Sequence, residues 1–241
     1  MNESSPLYPN QPICEVATEA RFLGDLKIDQ IRAPFQKKIN EDYPTLKVPA
    51  ALQGVAPSLQ PIRFESSLGD SAVQLAINSI SYVSKNYRGY EEFLNAFVLA
   101  TQPFFDLIPE IHVTRVGWRY INRINFTRED GLLPLYRIFK QNDLFGTALI
   151  CELEEVSYKA VAPKGDSRLS VKVEASHSLN DSTEEAILLD IDAFQVMDPP
   201  VVMNGENVIL SVKAMHDVAR ATFESLITDG YREFLKGDDN E

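Results

Sequence analysis

Residues 13–22 read ICEVATEARF, and side chains of two kinds take turns along the stretch. Cys14, Val16, Thr18, Ala20 and Phe22 fall on one side, Glu15, Ala17, Glu19 and Arg21 on the other. The same period of two returns in TRVGWRYINRINF, residues 114–126. There Val116, Trp118, Tyr120, Ile124 and Phe126 oppose Arg115, Gly117, Arg119, Ile121 and Arg123. Successive strand side chains point to opposite faces, so such a stretch is stable only as a strand with one face buried and one wet. A chain built around segments like these is committed to a sheet with a greasy side and a polar side.

The segments between them have helical spacing. In KIDQIRAPFQKKINEDYP, residues 27–44, Ile28, Ile31, Phe35 and Ile39 recur at three- and four-residue steps, with Pro34 predicting a kink or a late start. Residues 45–60 carry Pro49, Gly54 and Pro57 and read as a loop. PIRFESS and SAVQLAINSISYVS form the two arms of a hairpin around the SLGD turn. YEEFLNAFVLATQPFFDLIP, with Tyr90, Phe93, Phe97 and Phe104 in a stripe, is a second helix. Its phenylalanines are core residues by default, although they could also line a cavity between helix and sheet. The order is β-α-β-β-α-β, the ferredoxin-like arrangement, in which the first and last strands are antiparallel neighbours. Glu15, Glu19 and Arg21 are then expected beside Arg115, Arg119 and Arg123, with at least some of the arginines paired to these glutamates.

The second half partly echoes the first. A short helix (LPLYRIFKQ) precedes three strand candidates, LICELEEVSYKAVA, SRLSVKVEAS and EAILLDIDAFQVM, a polar loop DPPVVMNGEN, and a long helix over about 207–235. The reading is α+β: two related halves forming one extended antiparallel sheet, with helices on one face and a polar face opposite. Its parts are a flexible arm (1–12), a first half (13–126), a connecting segment with a short helix (127–147), a second half (148–235) and a disordered acidic tail (236–241).

With 241 residues, 44% of them apolar, the chain can bury a core without disulfides or metals. Its net charge of −12 repels polyanions, which argues against general nucleic-acid binding. The N-terminus has no signal-peptide pattern and no apolar run spans a bilayer, so a soluble cytoplasmic protein without membrane contact is expected. Cys14 and Cys151 have no metal or redox spacing and are expected buried, in a reducing compartment.

PICEVATEARF, YRGYEEF and above all RVGWRYINRI resemble a sporadically distributed bacterial family of uncharacterised proteins of similar length. The sequence has Tyr90 where that family's pattern has tryptophan, and Trp118 where leucine is common; both exchanges stay large and apolar. The resemblance implies a bacterial intracellular origin and supplies no substrate, cofactor or catalytic residue.

Candidate chemistry centres on the arginine strand. Guanidinium forks suit carboxylate and phosphate, and Gly117 between Arg115 and Arg119 would let a ligand or a backbone approach. The competing reading is a charge ladder, or a face covered by a partner chain. Asp190 and Asp192 share a strand face and join Glu152, Glu154 and Glu155 in an acidic cluster, without the loop or spacing of a metal site. His112, His177 and His216 sit in no recognisable motif; GxSxG, P-loop, GxGxxG and HExxH are all absent. No cofactor, metal or catalytic residue is assigned.

The expected function is a binding or protein-interaction module using the polar sheet face, with Arg115, Arg119, Arg123, Glu15, Glu19 and Arg63 as its ligand-binding residues. Its partner would be an anionic small molecule or a protein, and a homodimer is expected from the wide polar face and open sheet edges. The alternative is a metal-dependent phosphohydrolase or nucleotide-processing enzyme with a site lined by arginines and carboxylates.

Overall fold

The alternating segments pair into one sheet. The computed structural model describes residues 7–48, 60–140, 153–175 and 185–237. In chain order the elements are β1 (Ile13–Phe22), α1 (Lys27–Ile39), β2 (Thr45–Lys47), β3 (Ile62–Glu65), β4 (Ser71–Ala76), β5 (Ser79–Ser84), α2 (Tyr90–Leu107), β6 (Ile111–Phe126), α3 (Leu135–Ile138), β7 (Val156–Lys164), β8 (Ser167–Ala175), β9 (Glu185–Met203), α4 (Gly205–Leu226) and α5 (Asp229–Lys236). The fold is α+β, an open nine-stranded antiparallel sheet in the order β2-β3-β4-β5-β1-β6-β9-β8-β7.

That order explains the echo between halves. After β1 the chain crosses to the outer edge, and the meander β2 to β5 walks back to lie beside β1. After β6 it reaches the opposite edge, and β7 to β9 walk back to lie beside β6. Pairing of β6 with β9 runs from Ile111–Met203 to Phe126–Glu185, so the sheet is continuous across both halves.

One cross-strand row fixes the buried face: Phe64, Val73, Tyr82, Thr18, Trp118, Ala193 and Leu169 stand side by side. Phe35 of α1 meets Phe64 edge-on at 5.5 Å, Phe93 of α2 lies 4.8 Å from Trp118, and His216 of α4 lies 5.0 Å from Trp118. Helices α1, α2 and α4 therefore cover the same face. Each large apolar side chain buried there contributes roughly 1.5–3 kcal/mol. Trp118 and Phe35 are wholly buried. Thr18, also buried, donates its hydroxyl to the Gly117 carbonyl at 2.9 Å, which removes the cost of an orphaned polar group.

Several details depart from the sequence reading. The arm expected over 71–84 is two strands, β4 and β5, folded at the Ile77–Asn78 turn. A further short strand, β2, stands where a loop was expected; residues 49–59 lie outside the described set. Four strands thus separate α1 from α2 where the ferredoxin-like order has two, while the expected antiparallel contact of β1 with β6 is present. β9 continues through the expected loop to Met203. Its two prolines fit because β8 ends opposite Phe194 and leaves this stretch on an edge, and because the register slips between Arg115–Val196 and Val113–Val201.

The long helix expected to about 235 is broken into α4 and α5. Thr228 accepts a hydrogen bond from the Tyr231 N–H and so caps a new helix start. Helix α1 begins at Lys27 and runs through Pro34. Cys14, expected buried, is exposed, because a register shift between Ile13 and Glu15 releases it from the core side; Cys151 lies outside the described residues. Residues 7–12 are tied down: Tyr8 donates to Glu224, Asn10 to the Phe234 and Leu235 carbonyls, and Gln11 to the Tyr87 carbonyl.

Among the described residues no helix is long and apolar enough to cross a membrane.

Candidate functional site

The outward row beside the buried one carries the polar chemistry. Arg63, Gln74, Ser81, Glu19, Gly117, Phe194 and Arg168 stand side by side, and Arg21 opposite Arg115 begins the next row. Arg119 stands opposite Asp192, and Ile121 opposite Asp190. Odd positions of β1 and β6 and even positions of β9 thus share the helix-free face.

The central arginines are held by carboxylates. Arg115 donates from Nη2 to both oxygens of Asp192 (2.8 and 2.7 Å) and from Nη1 to Glu19 (3.2 Å). Its guanidinium also lies over the Phe194 ring, 4.5 Å from the centroid. Arg119 makes a two-pronged contact with Asp190, Nε to Oδ1 at 2.7 Å and Nη2 to Oδ2 at 2.6 Å. Such bidentate pairs are the stronger kind of charged hydrogen bond. Arg21 donates to Glu19 at 2.7 Å. Burial pushes the Asp192 carboxyl above its ordinary value, and Arg115 and Arg119 pull against that rise. The hydrogen bonds that Arg119 donates to Asp190 hold its guanidinium more firmly protonated.

Pairing with glutamates of β1 accounts for only part of this. Glu19 does contact Arg115, but the principal partners are Asp190 and Asp192 of β9, on the other side of β6. Glu15 stands opposite Ile121 and, among the described residues, joins none of the ion pairs on this face. Arg123 is exposed, and among the described residues its side chain makes only a 3.2 Å contact from Nε to the Asn125 side chain. Arg63 does not join the cluster. It sits three strands from Glu19, roughly 14 Å away at normal strand spacing, and pairs with Glu65 at 2.7 Å.

The space over Gly117 is already filled. A Cβ there would lie 2.7 Å from Arg115 Nη1 and 3.0 Å from Cζ. The glycine makes room for the protein's own guanidinium, and not for a ligand or backbone as the sequence suggested. Asp190 and Asp192, weighed in the sequence as an acidic cluster, are ion-pair partners. Among the described residues no group of three His, Cys, Asp or Glu is placed to hold a metal. Glu152 and His177 lie outside the described set.

A second polar cluster lies under the helices. His216 stacks on Tyr90 at 4.0 Å and meets the edge of Trp118. Its Nδ1 contacts Asp217 at 3.0 Å, while Nε2, the Trp118 indole N–H and the Tyr90 hydroxyl are buried without hydrogen-bond partners among the described residues. Burial lowers the His216 pKa from 6.5 and raises that of Tyr90 to about 12. Nothing in the spacing of the three histidines marked His216 out; only the crossing of α2 and α4 over β6 brings the cluster together.

No model of a known protein family matches the chain, and no curated protein matches it.

Proposed function

We propose that the protein is an interaction module acting through the helix-free face of its sheet, and that the occupant of that face is a protein surface. The carrying observation is the prior commitment of Arg115 and Arg119 to Asp192 and Asp190. A phosphate or carboxylate ligand would have to displace contacts of 2.6–2.7 Å, whereas a flat protein surface can dock on the intact ladder.

The first partner we assign is a second copy of the chain. The protein carries −12 overall, yet the centre of this face sets Arg21, Arg115, Arg119 and Arg123 against Glu15, Glu19, Asp190 and Asp192. A locally balanced patch of both signs is the kind of surface that a two-fold interface can match to itself. Arg123, with no carboxylate of its own among the described residues, is the fork available to the partner. A bacterial, cytoplasmic setting belongs to the same reading: the family resemblance implies it, and the exposed thiol of Cys14 suits a reducing compartment.

Sedimentation of the wild type against Arg123→Glu tests the reading. A dimer whose dissociation constant rises at least tenfold in the variant, with melting temperature unchanged, supports it; a monomer at all accessible concentrations overturns it. The metal-dependent phosphohydrolase or nucleotide-processing reading is checked alongside with magnesium or manganese plus nucleotide. Phosphate release there would replace this proposal.

A further inference from the structure

A recess lies on the helix side, away from the polar face. Its walls are Leu7, Tyr8 and Pro12 of the N-terminal segment, Ile13 of β1, and Phe223 and Arg220 of α4; Tyr87 and Tyr120 also line it. It has a volume of about 40 Å³, room for roughly three water molecules. The lining is mainly hydrocarbon, and the polar groups in it are unevenly satisfied.

Arg220 is the first of these. Its one carboxylate neighbour among the described residues is Glu224 at 3.9 Å, beyond hydrogen-bond reach. Glu224 is engaged elsewhere: the Tyr8 hydroxyl donates to it at 2.9 and 3.0 Å, and Arg232 Nε at 3.2 Å. The Arg220 side chain is only 28% exposed, and among the described residues its fork of N–H donors makes no hydrogen bond. The second is the buried hydroxyl pair of Tyr87 and Tyr120, 3.1 Å apart. One hydroxyl hydrogen is used between them, and the other is left to donate outward. Burial holds both phenols above their ordinary pKa, so they remain neutral donors. The third is Gln11, whose Nε2 donates to the Tyr87 carbonyl while its Oε1 is buried with no partner among the described residues.

We propose that this recess binds a small monocarboxylate with a short apolar tail, its carboxylate held by Arg220 and the Tyr87–Tyr120 hydroxyl pair, its tail against Pro12, Ile13 and Phe223. An unspent guanidinium and an unspent hydroxyl beside hydrocarbon walls are the usual composition of a small-ligand site: a few convergent polar groups in an apolar cavity. The single cation among the described lining residues and the small volume select one negative charge. A phosphate dianion would leave charge unneutralised in an apolar surround.

The test is an NMR titration of the full-length chain with butyrate, with butyramide as the uncharged control. Saturable shifts of the Gln11, Tyr87 and Tyr120 amides with butyrate, and a response to butyramide at least tenfold weaker, are expected. Arg220→Gln should weaken butyrate binding roughly tenfold or more, the effect of losing a charged hydrogen bond, with the rest of the spectrum unchanged. Should that variant not fold, the butyrate and butyramide comparison on the wild type decides alone. Equal response to the two compounds, undiminished binding by a folded Arg220→Gln, or shifts confined to the Arg119 and Arg123 face would each overturn the proposal. No shift at any butyrate concentration would do the same.

Discussion

One nitrogen of Arg115 serves both carboxylate oxygens of Asp192, at 2.8 and 2.7 Å, with the two side chains 16% and 26% exposed. The pair is neither a surface ion pair, which contributes about 0–1 kcal/mol, nor a fully buried one, whose breakage costs about 3–5 kcal/mol. Asp192→Ala should therefore destabilise by about 2 kcal/mol, since among the described carboxylates Arg115 then keeps Glu19 at 3.2 Å alone. Replacing both members, Arg115→Met with Asp192→Leu, should cost less than Asp192→Ala alone. Urea unfolding of the single and double variants checks the order, and the opposite order would mean that the ion pair is not the main tenant of the site.

Gly117→Ala should change sign with its background. In the wild type the new methyl group meets Arg115 Nη1 at 2.7 Å and must push the guanidinium off Asp192, a loss of about 1–2 kcal/mol. With Arg115→Ala already in place that obstacle is gone. Alanine is then better than glycine in a strand, by up to about 1 kcal/mol. Chemical denaturation of the four proteins of the cycle reads the interaction directly. Additive effects would remove Arg115 as the reason for glycine.

His216 makes stability depend on pH in a stated direction. Burial lowers its folded pKa below 6.5, so the unfolded chain binds the proton more readily. Stability is then complete above about pH 6.5 and falls as pH drops from there toward the folded pKa, with a slope no steeper than about 1.4 kcal/mol per unit from this one group. Melting curves of the wild type and His216→Gln between pH 7.5 and 5 test the assignment. The variant should lose less stability over that interval, and parallel losses would acquit the histidine.

Trp118 is the chain's one tryptophan, wholly buried, and its indole N–H has no hydrogen-bond partner among the described residues. Trp118→Phe removes that orphan along with some packing and should cost no more than about 1.5 kcal/mol. Trp118→Ala should cost about 3–5 kcal/mol. The native fluorescence should be blue-shifted and move red on unfolding, which supplies the signal for wild-type measurements. Similar costs for the two substitutions would mean that the indole is not packed as described.

Much of the architecture was legible because one face of each strand is buried, and burial writes a period of two into the sequence. The parity of β1 and β6 could be read in this way, and the neighbour relation between them from the order of the elements. The β4–β5 turn was also written there and missed. Apolar positions shift from odd (Val73, Leu75) to even (Ile80, Tyr82), which an uninterrupted strand cannot do. The α4–α5 break had its sign as well, in the capping pair Thr228–Asp229. Arg63 was misplaced because alternation tells which face a residue occupies and says nothing about how many strands away it lies.

Local pattern thus decided which side chains face the helices and which face the bare wall, because that choice depends only on a residue's own polarity and that of its near neighbours in sequence. Tertiary structure alone decided the partners. Asp190 and Asp192 meet the arginines because β9 returns along the far side of β6, and Arg220 meets Tyr87 and Tyr120 because α4 crosses over β6. The ion pairs, and the recess that Arg220 lines together with Tyr87 and Tyr120, join residues scores of positions apart. The balance that creates them, core burial against chain entropy, is settled by the whole chain at once and leaves no mark in any single segment.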